Sequence, residues 1–202
     1  AQYALAGMYA EGFGVTQNFK EAVKWYRLSA EQKNVSAQFA LGILYANGLG
    51  VTRDHKEAFK WFKLAAEQNH PESQYNLGDA YRFGTGIDQN HKEAFKWFKL
   101  AAEQRLALAQ AALGFLYRDG QGVTQDNKES FKWFLLAAAQ DYAPAQNAMG
   151  NFYDNGDGVP EDDKEAIKWY TKAAEQGFAG AQYNLGMMYV KGEGTPQNYV
   201  MA

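Results

Sequence analysis

The chain has 202 residues with 20 basic and 23 acidic side chains interspersed along it, for a formal net charge of -3. That balance leaves no basic footprint for nucleic acid or an anionic membrane, while 47% hydrophobic and 15% aromatic residues supply enough apolar surface for a continuous core and exclude a disordered chain. Cysteine is absent, which excludes disulfides and thiolate metal sites but leaves the compartment open, and no apolar run approaches the ~20 residues that span a bilayer.

The first element already belongs to a repeat. Ala1-Gln2 returns as Ala37-Gln38, Ser73-Gln74, Ala109-Gln110, Ala145-Gln146 and Ala181-Gln182, always at a spacing of 36 residues. The chain therefore divides into repeats 1–36, 37–72, 73–108, 109–144 and 145–180 and a partial unit 181–202. Because the sequence starts and stops inside this pattern, we expect a fragment of a longer protein.

Each unit predicts two helices. In the second unit Ala37, Leu41, Leu44 and Tyr45 keep the i, i+4, i+7, i+8 spacing of one helical face, with Gly42 allowing a neighbouring helix close approach. Gly48 and Gly50 then end the helix, as do Gly12/Gly14, Gly84/Gly86, Gly120/Gly122, Gly156/Gly158 and Gly192/Gly194 in the other units. Asp54 to Glu57 reads as a capping box that starts the second helix, with Glu57 expected to reach back to the cap; Asn18/Glu21, Asn90/Glu93, Asp126/Glu129 and Asp162/Glu165 repeat it. Its apolar face is Ala58, Phe59, Phe62, Ala65 and Ala66, and Lys56, Lys60 and Lys63 should face solvent. All five tryptophans, Trp25, Trp61, Trp97, Trp133 and Trp169, share one phase, each followed by a second aromatic residue. We expect them to pack in the core between repeats.

The pattern Ala-Gln-x-x-Leu-Gly-x-x-Tyr-x-x-Gly-x-Gly-Val, an Asx residue, then Lys-Glu-Ala-x-Lys-Trp-Phe-x-x-Ala-Ala-Glu-Gln resembles the Sel1-like repeat family, related to the tetratricopeptide repeats, over essentially the whole chain. The resemblance implies an all-α fold, a right-handed α/α superhelical solenoid of helix-turn-helix repeats. It also implies an adaptor or scaffold, often bacterial and often in envelope or host-contact proteins. Ala6 departs from the pattern where other units have glycine, and Ser130 departs where they have alanine. In the last unit Val200-Met201-Ala202 replaces Lys-Glu-Ala, as in a final capping unit; its exposed apolar end would fray and favour self-association.

Numbered from the Ala-Gln alanine, positions 1, 5, 8 and 9 of the first helix share one side at about 100° per residue, and positions 3, 7, 10 and 11 take the other. The second set varies from unit to unit, so the repeat does not dictate it. First helices line the concave surface of such solenoids, which makes this face the candidate groove for a protein or peptide. Its residues are Tyr3, Phe39, Ile43, Tyr75, Asp79, Arg82, Phe83, Phe115, Arg118, Asn147, Asn151 and Asp154, with Asn76 beside them at position 4. Arg82 and Arg118 occupy equivalent places on adjacent repeats, where they would grip a carboxylate or acidic peptide beside the aromatic residues. Alternatively they are solvated, with Arg82 pairing Asp79 along its own helix.

No metal or cofactor site is expected. His55 and His91 share a phase and stand about one repeat apart, as surface residues, and His70 has no evident partner. The acidic run from Asp154 fails the calcium-loop test because Val159 stands where glycine is required. An enzyme is not expected either, since none of Ser29, Ser36, Ser73 and Ser130 has lysine three residues on. The reading is thus a binding adaptor, with a structural spacer as the alternative and a cell-wall or β-lactam hydrolase third. Neither nucleic-acid binding nor membrane insertion is implied; an envelope or secreted location rests on the resemblance alone.

Overall fold

The structure is a computed structural model and describes residues 1–195. Val200, Met201 and Ala202, on which the capping-unit expectation rests, lie outside the described residues. Among the described residues every regular element is a helix, so the all-α fold is as expected. A first compact unit, residues 1–104, holds α1 (Gln2–Glu11), α2 (Phe19–Glu31), α3 (Val35–Asn47), α4 (His55–Glu67), α5 (Pro71–Phe83) and α6 (His91–Glu103). A second, residues 105–202, holds α7 (Ala107–Asp119), α8 (Asn127–Ala138), α9 (Ala143–Asn155), α10 (Asp163–Glu175) and α11 (Ala179–Lys191). Within each unit, consecutive helices pack on one another.

Odd-numbered helices start at residues 35, 71, 107, 143 and 179, just before the Ala-Gln signal, because Lys33, Asn69, Arg105, Asp141 and Gly177 take left-handed backbone and stop the preceding helix. Even-numbered helices start at the expected caps: Asp54 Oδ1 accepts from the N–H groups of Lys56 and Glu57 at 2.9 and 3.1 Å. The returning half of the box does not form. The N–H of Asp54 donates instead to the Tyr45 carbonyl at 3.0 Å, closing the loop, and Glu57 pairs with Lys60. The same exchange occurs at Asn18, Asn90, Asp126 and Asp162, whose N–H groups go to Tyr9, Tyr81, Tyr117 and Tyr153.

Two glycines per repeat set the packing. At Gly42 a methyl group would collide with the ring of Phe62, so the paired helices meet there. At Gly50, with φ of 71°, a Cβ would stand 2.3 Å from the carbonyl carbon of Phe19, which places the loop of one repeat on the first turn of the preceding repeat's second helix. Glutamines join the pieces: exposed Gln68 Nε2 donates to buried Gln38 Oε1 at 2.7 Å, and Gln38 Nε2 donates to the Ala30 carbonyl of the repeat before at 3.2 Å. In the second unit Gln176, Gln146 and Ala138 do the same.

The tryptophans differ from expectation. Trp25 and Trp61 are only half-buried, packed against the edge of the core, and Trp169 likewise. The residue after each is the core ring: Phe98, Phe134 and Tyr170 are fully enclosed. Successive helical residues point about 100° apart, so only one of each aromatic pair can face the first helix squarely.

Candidate functional site

In the first unit, the face of α1, α3 and α5 is less free than its variability suggests. Tyr3, Phe39 and Tyr75 lean on the core aromatics Tyr26, Phe62 and Phe98, with ring centroids 5.6, 6.0 and 5.6 Å apart, and Ile43 is half-buried against the core. Phe39 also meets the ring of His70 at 4.9 Å. His70 does have a partner: it caps α5, its Nδ1 accepting from the N–H of Ser73 at 3.3 Å. His55 is exposed as expected, whereas His91 is half-buried.

Between α3 and α5 the face opens into a cleft of about 280 Å³. Ala46 and Asn47 form one wall, Asn76, Asp79 and Phe83 the other, and Phe59 and Phe62 of α4 the floor, with His55 at the rim. Asp79 is half-buried, and burial pushes its carboxyl above the usual range, opposed by the Tyr75 hydroxyl and the charge of Arg82. The Arg82–Asp79 ion pair of the alternative reading is absent among the described residues; the Arg82 guanidinium lies 5.1 Å from the centroid of the Phe83 ring. Phe83 itself is 64% exposed.

In the second unit, Arg118 lies 4.9 Å from the Phe115 centroid, and its Nε donates to Asp119 Oδ1 at 2.8 Å. Phe115 meets the core ring of Phe134 edge-on at 4.8 Å. A cleft of about 130 Å³ opens between α7 and α9, lined by Arg118, Ala148, Asn151, Phe152, Asn155 and Asp157. Arg118, Asn151 and Asn155 stand 72 residues, two repeat lengths, after Ala46, Asp79 and Phe83, so the two clefts occupy the same place in the repeat.

Further along α9 the side chains are tied together. The hydroxyl of Tyr170 donates to Asn151 Oδ1 at 2.7 Å and lies 3.2 Å from Asp154 Oδ2. Asn184 Nδ2 donates to Asn147 Oδ1 at 3.1 Å and Asn151 Oδ1 at 3.2 Å. Burial, with the nearby Asp154 charge, holds the Tyr170 phenol well above its usual range. Asn47, Phe59, Asn155, Tyr170 and Asn184 belong to these surroundings but were not singled out from the sequence. The first and third occupy a varying position of the repeat, which is the signal that could have found them; Phe59 and Tyr170 sit on the second helix's apolar face and gave none.

The Sel1 repeat family matches residues 1–34, 35–70, 71–106, 107–142, 143–178 and 179–202. The chain belongs to the Sel1 repeat family. Such repeats generally build protein-interaction scaffolds and are typically non-enzymatic. Among solved structures, this Sel1 array is similar to c5321, a protective antigen of uropathogenic Escherichia coli with an SLR fold, at 37% identity and a TM-score of 0.94. The match covers 99% of this chain and 43% of that one. A Sel1 repeat protein from Oxalobacter formigenes is 33% identical with a TM-score of 0.92, over 98% of this chain and 79% of that one. The Helicobacter pylori cysteine-rich protein B shares the fold at 23% identity and a TM-score of 0.51, over 64% of this chain and 92% of that one. A search of curated protein sequences gives no match. No helix among the described residues is long and apolar enough to cross a membrane.

Proposed function

We propose that this Sel1 repeat array is a protein- or peptide-binding adaptor that works through the concave face of its first helices. The observation that carries the reading is the recurrence of the cleft at one place in the repeat, where side chains at the varying positions 7, 10 and 11 stand over a framework floor. Tyr3, Phe39, Ile43, Tyr75, Asn76, Asp79, Arg82 and Phe83 supply the face in the first unit; Phe115, Arg118, Asn147, Asn151 and Asp154 supply it in the second. Half-buried aromatics there offer rigid apolar contact, and Arg82, which makes no ion pair among the described residues, offers a charge-assisted contact to a partner carboxylate.

A photo-crosslinking residue placed at Phe83, and separately at Leu64 on the opposite helix layer, tests this in cells making the protein. A discrete adduct from position 83 and none from 64 supports the adaptor. Adducts from position 64 alone would support the second reading, a structural spacer or assembly module. That reading is favoured by Leu28, Leu64 and Leu100, which stand at one phase of α2, α4 and α6 and are 43, 44 and 43% exposed.

A further inference from the structure

We infer that the cleft between α3 and α5 receives one basic side chain of the bound protein, an arginine or a lysine, with Asp79 as its counter-ion. The inference rests on the groove reading above and names what that cleft takes.

Three acceptors meet there with capacity to spare: among the described residues two amide oxygens accept nothing, and the Asp79 carboxylate has the Tyr75 hydroxyl beside it but no cation paired with it. Asn47 Nδ2 is committed to the Ile43 carbonyl at 3.0 Å and Asn76 Nδ2 to the Glu72 carbonyl at 2.7 Å. Only an amide nitrogen can donate to a carbonyl, so these bonds fix both amides and leave each Oδ1 as an acceptor. Neither oxygen accepts a hydrogen bond among the described residues. The third acceptor is the Asp79 carboxylate, which lacks an ion pair among the described residues although Arg82 is three residues away, because that guanidinium is laid on Phe83. A donor-rich cation satisfies all three together, and a neutral or acidic side chain does not.

Shape agrees with charge. At about 280 Å³ the cleft falls below the usual range of small-molecule sites, roughly 300–1,000 Å³, and suits a single side chain. Phe59, Phe62 and Phe83 give aromatic walls along which an aliphatic stem packs and over which a guanidinium is attracted. The corresponding cleft of the second unit provides an internal comparison. There the place of Asp79 is taken by Asn151 and that of Ala46 by Arg118, so that cleft already contains a guanidinium and has no carboxylate at the Asp79 position, its acid Asp157 standing where the first cleft has Thr85. Presence of the cation in one and of the counter-charge in the other is what a cation-accepting cleft predicts.

The test is an NMR titration of the whole chain with N-acetyl-arginine amide and with its neutral isostere N-acetyl-citrulline amide. The arginine compound should give saturable shifts confined to residues around Asn47, Asn76 and Asp79, with the citrulline compound about tenfold weaker. Asp79→Asn should erase that preference, while Asp157→Asn in the other cleft should preserve it. Equal binding of the two compounds, a preference surviving Asp79→Asn, or no saturable shift at the cleft would each overturn the inference. The citrulline comparison uses the unaltered chain and so does not depend on the variants folding. Crosslinking from Phe83 combined with failure of the arginine compound would leave the groove standing and remove only its basic ligand.

Discussion

The ring of Phe62 lies where a side chain at residue 42 would be: a Cβ built on Gly42 stands 2.4 Å from Phe62 Cε1. The ring is buried, so either it or the two helix backbones must shift to admit the methyl group. Gly42→Ala should therefore cost about 1–3 kcal/mol, as overpacking does, and lower the thermal midpoint followed by circular dichroism. A loss below about 0.5 kcal/mol, the scale of an ordinary surface change, would show that the two helices separate readily.

Gly50 and Gly177 both have positive φ, yet they should respond differently to alanine. At Gly50 the methyl meets the Phe19 backbone, and the substitution should cost about 2 kcal/mol or more, seen as a shift in the urea midpoint. At Gly177 nothing lies within 4 Å, and Lys33, Asn69, Arg105 and Asp141 hold the same conformation at that phase. Only the backbone strain remains there, about 1 kcal/mol.

Asp79 should be a residue kept at some expense to stability. Burial raises its carboxyl pKa in the folded chain, so the folded form holds the proton more tightly than the unfolded one. Ionised Asp79 then disfavours the fold above its folded pKa, and the penalty fades as pH falls through that value towards the unfolded one, about 3.9. Asp79→Asn should raise the urea midpoint at pH 7 and leave it unchanged at about pH 3. A lower midpoint at pH 7 would mean that Tyr75 and Arg82 outweigh burial.

Tyr170→Phe removes the donor that serves Asn151 and Asp154 inside the second unit, and should cost about 1–2 kcal/mol. Its phenol titrates higher in the folded chain than in the unfolded one. Unfolding therefore releases a proton once pH passes the unfolded value of about 10, and stability falls. The phenylalanine variant should lose less stability than the parent between neutral pH and about pH 11 in the same urea titration.

Helices, turns and repeat length were legible because six imperfect copies show which positions cannot vary: the glycine pair, the Asx caps and the alanine rows. Those constraints act within one or two turns of the chain. What was hidden depends on competition among groups. Glu57 looked like half of a capping box, but only the structure reveals that the Asp54 N–H is already taken by Tyr45. Trp61 and Phe62 are equally invariant in phase, and repetition alone does not say which ring turns inward. Variation correctly marked Asp79, Arg82 and Phe83 as positions outside the architectural pattern. It did not disclose that Arg82 rests on Phe83 rather than on Asp79, nor that the amide nitrogens of Asn47 and Asn76 are spent on backbone carbonyls of their own helices, since both follow from side-chain geometry.

The seating of Gly50 on the first turn of α2, and of Gly86 on His55 at the start of α4, makes the second and third repeats dock on their predecessors through the same few atoms. Such a joint is indifferent to how many units precede it. Duplicating one 36-residue cassette would lengthen the array through a joint of the same kind, with its own choice of residues at the Ala46 and Asp79 positions. In the adaptor proposed above, epitope length would then grow by whole cassettes, and substitutions at the varying positions would change what is recognised without touching the glycine joints.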